Sequence, residues 1–262
     1  MSETMETIAA GLLKQVRLTA KPLDKLPDTV APPDLDTAYA VQDALNRSLS
    51  GAGMGGIVGH KIGCTTKVMQ EYMQIPHPCS GAMFAATVFT GEASFPRSRL
   101  CRPGVECEIA VTLARDIVEL PNDDIANVAP FVDKAMASIE LVDQRWTDFR
   151  KVATPSLVSD NFFNAGCVLS KPVRMDPMKM DRITGRMLVN GGLVGEGIGA
   201  DILGHPLAAL SWLARHQIAR GKPLRAGEIV TLGSVVQTIW VEAGNVIEVE
   251  MDALGSCALT LS

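Results

Sequence analysis

The chain has 262 residues, 47% of them apolar and 20% charged, with a formal net charge of −5. That composition supports one large domain, or a core with a small appendage, and excludes a disordered chain. The acidic balance without a basic cluster excludes a nucleic-acid partner, and no apolar run approaches the roughly 20 residues that span a bilayer.

In chain order, residues 6–20 read as a first helix, followed by a connector from Pro22 to Pro33. The spacing of Tyr39, Ala40, Ala44 and Leu45 predicts a helix to about Leu49 with Asp36 as its cap. Glycines at 51–56 end it, and the acidic start Met-Ser-Glu-Thr-Met-Glu lacks the order of a signal peptide, so a cytoplasmic chain is expected. Residues 57–64 read as a short strand and 65–75 as a helix closed by Pro76. From about residue 83 the texture turns to strands: 105–113 (VECEIAVTL) alternates, and 137–142 (ASIELV) repeats the pattern. A helix is expected over 122–136. Asn190-Gly191-Gly192 between apolar runs predicts a hairpin. Pro206 to Arg220 is the clearest helix, with Gly221 as its stop. Strands follow at 228–232 and 245–251. The pattern is α+β, without the βαβα rhythm of a doubly wound sheet. Residues 1–82 are expected to form a helical N-terminal region carrying Lys61, and residues 83–262 a β-rich metal-binding catalytic core.

Glu106-Cys107-Glu108 lies inside an apolar strand, so both glutamates face one side and Cys107 the other. Two carboxylates on a buried face repel each other and lose solvation, and they need a cation or shared protons to remain there. Glu140 sits between Ile139 and Leu141 in a second apolar strand. Three carboxylates without a histidine or cysteine partner suit a hard cation, Mg²⁺ or Mn²⁺, rather than Zn²⁺. An isolated Glu-x-Glu also fits a solvated strand face, which is the reading for Glu248 and Glu250. Gly59-His60-Lys61-Ile62-Gly63 places a lysine between glycines, where it offsets negative charge or snorkels from a strand end. Ser159-Asp160-Asn161 reads as an orienting polar triplet or as an Asx-capped turn. Gly204-His205-Pro206 reads as a helix start open to an anion, with a plain cap as the simpler reading. Gly233-Ser234 offers a further donor.

Other signatures fail. Gly51-x-Gly53-x-x-Gly56 follows a helix and precedes a strand, the reverse of a dinucleotide site. The six cysteines (64, 79, 101, 107, 167, 257) form no CxxC pair and are expected to be reduced. Cys79 has the chemistry of a nucleophile, but the sequence names no partner to activate it.

In this order, GHKIG (59–63), PGVECEIAV (103–111), SIELVD (138–143), SDN (159–161), LGHP (203–206) and the closing strands resemble the 2-oxopent-4-enoate hydratase/4-oxalocrotonate decarboxylase family of the fumarylacetoacetate hydrolase superfamily. The resemblance runs from about residue 36 to the end. It implies a mixed β-roll core behind a helical N-terminal region, an Mg²⁺ or Mn²⁺ ion held by Glu106, Glu108 and Glu140, an active-site Lys61, and homo-oligomers, with a pathway enzyme as a further partner. Hydratases of the family carry Pro-Asp-aromatic-Gly where this chain has Pro78-Cys79-Ser80-Gly81, so Cys79 stands in place of an aspartate. The implied activity is addition of water to a small 2-hydroxy-2,4-dienoate to give a 4-hydroxy-2-oxo acid in aromatic-compound breakdown. The alternatives are decarboxylation of a 2-oxo-3-enedioate, C–C hydrolysis, or an inactive scaffold relative. In the hydratase reading Lys61 neutralises the anion, Asp160 and Ser80 carry protons, and Gly63, Asn161 and Ser234 contact substrate.

Overall fold

The computed structural model describes residues 4–262. Helices α1 (Met5–Thr19) and α2 (Leu35–Leu49) pack together and bury Ala9, Leu13, Leu45 and Leu49. Asp34, not the expected Asp36, caps α2: its carboxylate accepts the Thr37 N–H at 2.8 Å, and Asp36 lies in the first turn. There follow β1 (Ile57–Gly63), α3 (Lys67–Tyr72), β2 (Cys79–Phe84), β3 (Val88–Thr90), β4 (Glu92–Phe95), β5 (Pro103–Leu113), α4 (Ile125–Val128) and β6 (Val132–Asp143). The second half adds α5 (Thr154–Ser159), β7 (Asn164–Leu169), β8 (Thr184–Val189), β9 (Gly192–Ile198), α6 (Pro206–Ala219), β10 (Ile229–Ser234), β11 (Ile239–Trp240), β12 (Val246–Met251) and β13 (Gly255–Leu261).

The larger, eight-stranded sheet runs β2-β1-β10-β5-β6-β7-β3, with β11 beside β5; the smaller runs β4-β13-β12-β8-β9. Strand alternation sorts β5 and β6 into two faces. Val105, Cys107, Ile109 and Val111 of β5 join Ala135, Ala137, Ile139 and Leu141 of β6 in the main core, together with Ile247, Val249, Cys257 and Leu259 of the smaller sheet. Glu106, Glu108 and Glu140 occupy the alternate positions. A second core gathers α1 and α2 against Phe84, Trp146, Leu157, Val158 and Phe162.

Three expectations change. The boundary at 82/83 falls inside β2, and β1 and β2 are hydrogen-bonded into the same sheet as the glutamates. Lys61 therefore reaches the site through the sheet. The helix expected over 122–136 shrinks to Ile125–Val128 plus a short turn through Pro130, because residues from Val132 onward pair with β5. The helix expected over 65–75 is confined to Lys67–Tyr72 and capped by the Thr66 hydroxyl.

Candidate metal centre and its cavity

β5 and β6 run antiparallel in a register that sets Glu106 directly opposite Glu140. Glu108 lies two residues along β5 on the same face, so the three carboxylates converge, each with an oxygen within 4.8 Å of the others. Glu108 and Glu140 are fully buried. Protein donors orient one oxygen of each. Thr238 Oγ1 donates to Glu106 Oε1 at 2.5 Å, Gly233 N–H to Glu108 Oε2 at 3.4 Å, and Asn164 Nδ2 to Glu140 Oε1 at 2.8 Å. Glu108 Oε1 and Glu140 Oε2 have no hydrogen-bond partner among the described residues.

Lys61 completes the cluster. Its Nζ lies 3.4 Å from Glu140 Oε1 and 5.0 Å from the centre of the Phe162 ring, with the side chain 3% exposed. Burial alone would lower the lysine pKa, but Glu140, Glu106, Cys79 and Glu108 outweigh it and hold the ammonium above the ordinary lysine range. Burial pushes Glu108 well above the usual carboxylate range, and Glu140 and Glu106 push it further. Burial likewise raises Glu140, against the pull of Lys61. Ionised, three carboxylates and one ammonium leave a net charge of −2, which a dication cancels. The two orphaned oxygens and the all-carboxylate donor set fit such an ion. The cluster is an acidic triad able to hold a metal.

The site opens into a cavity of about 640 Å³ whose wall includes Lys61, Glu106, Gly63 and Ser234. Local backbone shapes this end. Asn161, Phe162 and Phe163 take positive φ in succession (54°, 43° and 69°), a costly run for non-glycine residues. It brings the Phe162 ring against Gly63, where an added Cβ would meet the ring at 2.6 Å. Gly81 is needed for the same reason, since a Cβ there would meet the Asn161 carbonyl oxygen at 2.4 Å.

Residues 61–262 match the fumarylacetoacetate (FAA) hydrolase C-terminal family. Over 254 residues the chain is 32% identical to a 2-keto-4-pentenoate hydratase of Burkholderia vietnamiensis, covering 97% of this chain and 96% of that one. The chain belongs to the 2-keto-4-pentenoate hydratase branch of the fumarylacetoacetate hydrolase family. A second relative, the 2-keto-4-pentenoate hydratase of Paraburkholderia xenovorans, is 34% identical over 250 residues, 95% of this chain and 91% of that one. The fold matches a solved 4-oxalocrotonate decarboxylase from Pseudomonas putida G7, complexed with magnesium and adipate, with a TM-score of 0.92. That match has 24% identity and covers 100% of this chain and 99% of the other.

Within this hydratase-family fold, the other site residues singled out in the sequence separate into those the cavity uses and those it does not. Gly63 and Ser234 line the wall, but the Ser234 hydroxyl is already committed: it donates its one proton to the Val236 carbonyl at 2.6 Å and accepts the Cys107 N–H at 3.1 Å. Ser234 therefore holds the β10–β5 junction and is corrected as a free donor to substrate. Asp160, expected as a proton carrier, is also corrected. Its Oδ1 accepts Arg17 Nε at 2.9 Å and its Oδ2 accepts Arg145 Nε at 2.5 Å, while both guanidiniums also reach its carbonyl. Burial and the neighbouring Arg145 draw Arg17 down to about 10, so it stays charged at neutral pH. Asn161 accepts Ala82 N–H at 2.8 Å and donates to Asn46 Oδ1 at 2.6 Å, which makes it a tie between β2 and α2 rather than a substrate contact. Ser80 is buried in β2 opposite Ile62, outside the cavity wall, and its hydroxyl has no partner among the described residues. His205 caps α6 by accepting the Leu207 N–H, the plain reading of LGHP. Cys79 lies beside Lys61, with its Sγ 3.9 Å from Cys64 Sγ.

The sequence missed Thr238 and Asn164 as orienting donors, and it missed the aromatic part of the wall formed by Phe149, Phe162, Phe163 and Trp240. Only Gly233 carried a signal, as part of the Gly233-Ser234 pair after a strand.

Proposed function

We propose that this chain is a hydratase that adds water to 2-hydroxy-2,4-dienoates, giving 4-hydroxy-2-oxo acids. The observation that carries the reading is the convergence of three strand-borne carboxylates beside a buried ammonium, with Lys61 and Glu106 in the wall of a large cavity. A divalent cation, Mg²⁺ or Mn²⁺, held by Glu106, Glu108 and Glu140 supplies Lewis-acid polarisation of the substrate's 2-oxygen when bound. The protein's own groups do the rest. Thr238, Gly233 and Asn164 fix the three carboxylates before any ligand arrives, so little reorganisation is left for binding. Lys61 places a permanent positive charge where the substrate anion and its developing enolate need it. The Phe162 ring under Lys61 keeps that charge desolvated and strong. In the reaction a proton goes to C5 to give the 2-oxo-3-enoate. Water then delivers hydroxyl to C4 and a proton to C3.

Asp160 and Ser80 do not serve as proton carriers in this reading, and water within the cavity takes that part. A cytoplasmic location and homo-oligomeric assembly, with a pathway enzyme as further partner, belong to the same reading. Among the described residues, no helix is long and apolar enough to cross a membrane.

The test is a panel of 2-hydroxydienoates and 2-oxo-enedioates offered to the Mg²⁺-loaded protein, with product analysis and CO₂ measured together. Loss of the dienoate chromophore with a 4-hydroxy-2-oxo acid as product is expected. Release of CO₂ from the enedioates without hydration would replace the reading by decarboxylation, and no turnover of any member would refute both.

A further inference from the structure

The cavity reaches well beyond the metal centre, and the chemistry of its far wall bears on what the substrate carries at its other end. Its volume of about 640 Å³ lies in the range that holds a drug-sized molecule and exceeds what a five-carbon acid fills. Beyond Lys61 and Glu106 the wall includes Val68, Met69 and Tyr72 of α3 and, across from them, Phe149 and Phe163, with Trp240 nearer Glu106. Phe149 stands edge-on to both Phe163, at 5.5 Å, and Tyr72, at 6.4 Å, so three rings form one connected aromatic surface.

Charge on this wall is as informative as its apolarity. Lys61 is the one cationic side chain lining the cavity among the described residues, and it is spent at the carboxylate cluster. The other charged lining residues, Glu106 and Asp201, are both acidic. Of the cations on neighbouring elements, Lys67 of α3 and three arginines lie close in the chain, but none lines the cavity. Arg102 stacks on Trp240, Arg150 pairs with Asp148, and Arg145 is bound to Asp160. A second carboxylate at the far end of a substrate would trade part of its hydration for contact with aromatic rings and would find no counter-charge in the wall. An alkyl or aryl group placed there would bury apolar surface and stack on the rings.

We infer that the site selects dienoates whose far end carries an uncharged apolar substituent, alkyl or aryl, and discriminates against those ending in a second carboxylate. This rests on the hydratase reading for the reaction but not for the preference itself. The decisive experiment therefore measures binding as well as turnover. Calorimetric titration of the Mg²⁺-loaded protein compares two saturated, unreactive 2-oxo acids, one ending in a phenyl group and one in a carboxylate. The phenyl-ended acid is expected to bind at least tenfold more tightly, and kcat/KM for the matching dienoates to differ in the same sense. Equal or tighter binding of the dicarboxylate overturns the inference. A binding preference without hydration of any dienoate leaves the selectivity standing and removes the hydratase reading, so the two failures are distinct. Met69→Arg places a cation at the partly exposed rim. It is expected to raise the dicarboxylate-to-phenyl affinity ratio at least tenfold, and an unchanged ratio in a folded variant counts against an apolar tail occupying this end.

Discussion

Replacing Asp160 by asparagine separates a structural carboxylate from a catalytic one. In the fold Asp160 is gripped by two guanidiniums whose side chains are 8% and 2% exposed, from Arg17 and Arg145 respectively. Asparagine keeps one acceptor oxygen and turns an NH₂ toward the other guanidinium, donor against donor. One buried positive charge loses its partner, and such a loss costs roughly 3–5 kcal/mol. Against a total stability of roughly 5–15 kcal/mol, that is about a fifth or more of a typical domain's margin. Urea denaturation followed by circular dichroism reads the change directly. Because Arg17 sits in α1, the loss is expected first in the docking of the N-terminal helices. Arg17→Met in the Asp160→Asn background should cost less than the sum of the single changes, since the orphaned charge is removed with it. A variant as stable as the wild type but without turnover would show that Asp160 acts in the chemistry and is not a structural ion-pair hub.

Two further outcomes follow from buried groups. His216 is sandwiched by Trp212 at 5.0 Å and Tyr39 at 4.5 Å, and its Nε2 has no partner among the described residues. Burial, then Arg220, His77 and His60, pull its pKa down to about 4. The unfolded chain takes up this proton near pH 6.5 while the fold refuses it until about pH 4. The stability that His216 contributes as a neutral ring is thus full above 6.5 and lost as pH falls through that window. The gap from 6.5 to about 4 corresponds to about 3.4 kcal/mol, which the partial exposure of the ring trims to roughly 2–3 kcal/mol, and urea midpoints of His216→Phe against pH should be flatter there than those of the wild type; identical curves would refute the assignment. Cys79→Asp places a carboxylate beside Lys61, where the family resemblance implies an aspartate in hydratases, and should raise the rate of hydration over the wild type under saturating Mg²⁺. A rate unchanged or lower counts against the missing aspartate as the weak point.

Much of the site could be read from the chain because strand alternation is local. Glu106, Cys107 and Glu108 announce their two faces within three residues, and Glu140 between Ile139 and Leu141 does the same. Lys61 between Gly59 and Gly63 was conspicuous for the same reason, and the glycine at 63 proves to be required by the Phe162 ring. What the sequence hid is long-range. Arg17 lies 143 positions from Asp160, so a polar triplet that reads as exposed chemistry is in fact a buried ion-pair hub. Asn161 is tied to Asn46 across 115 positions, and Thr238 reaches Glu106 across 132. Alternating residues at 132–136 look helical beside 122–131 until pairing with β5 claims them. The left-handed run at 161–163, which builds the cavity's aromatic wall, has no glycine to signal it.

The central claim is that Glu106, Glu108 and Glu140 share one dication, and ligand-linked stability tests it without substrate. Mg²⁺ at a hundred times its dissociation constant adds about 2.7 kcal/mol to a fold that binds it only when native, which for a chain of this size raises Tm by roughly 5–10 °C. The account predicts that rise for the wild type and its loss in Glu108→Gln, with the variant more stable than the wild type when both lack metal, because a buried carboxyl that its surroundings disfavour as an anion is gone. A wild-type Tm indifferent to Mg²⁺ and Mn²⁺, or an equal rise in the variant, would contradict it.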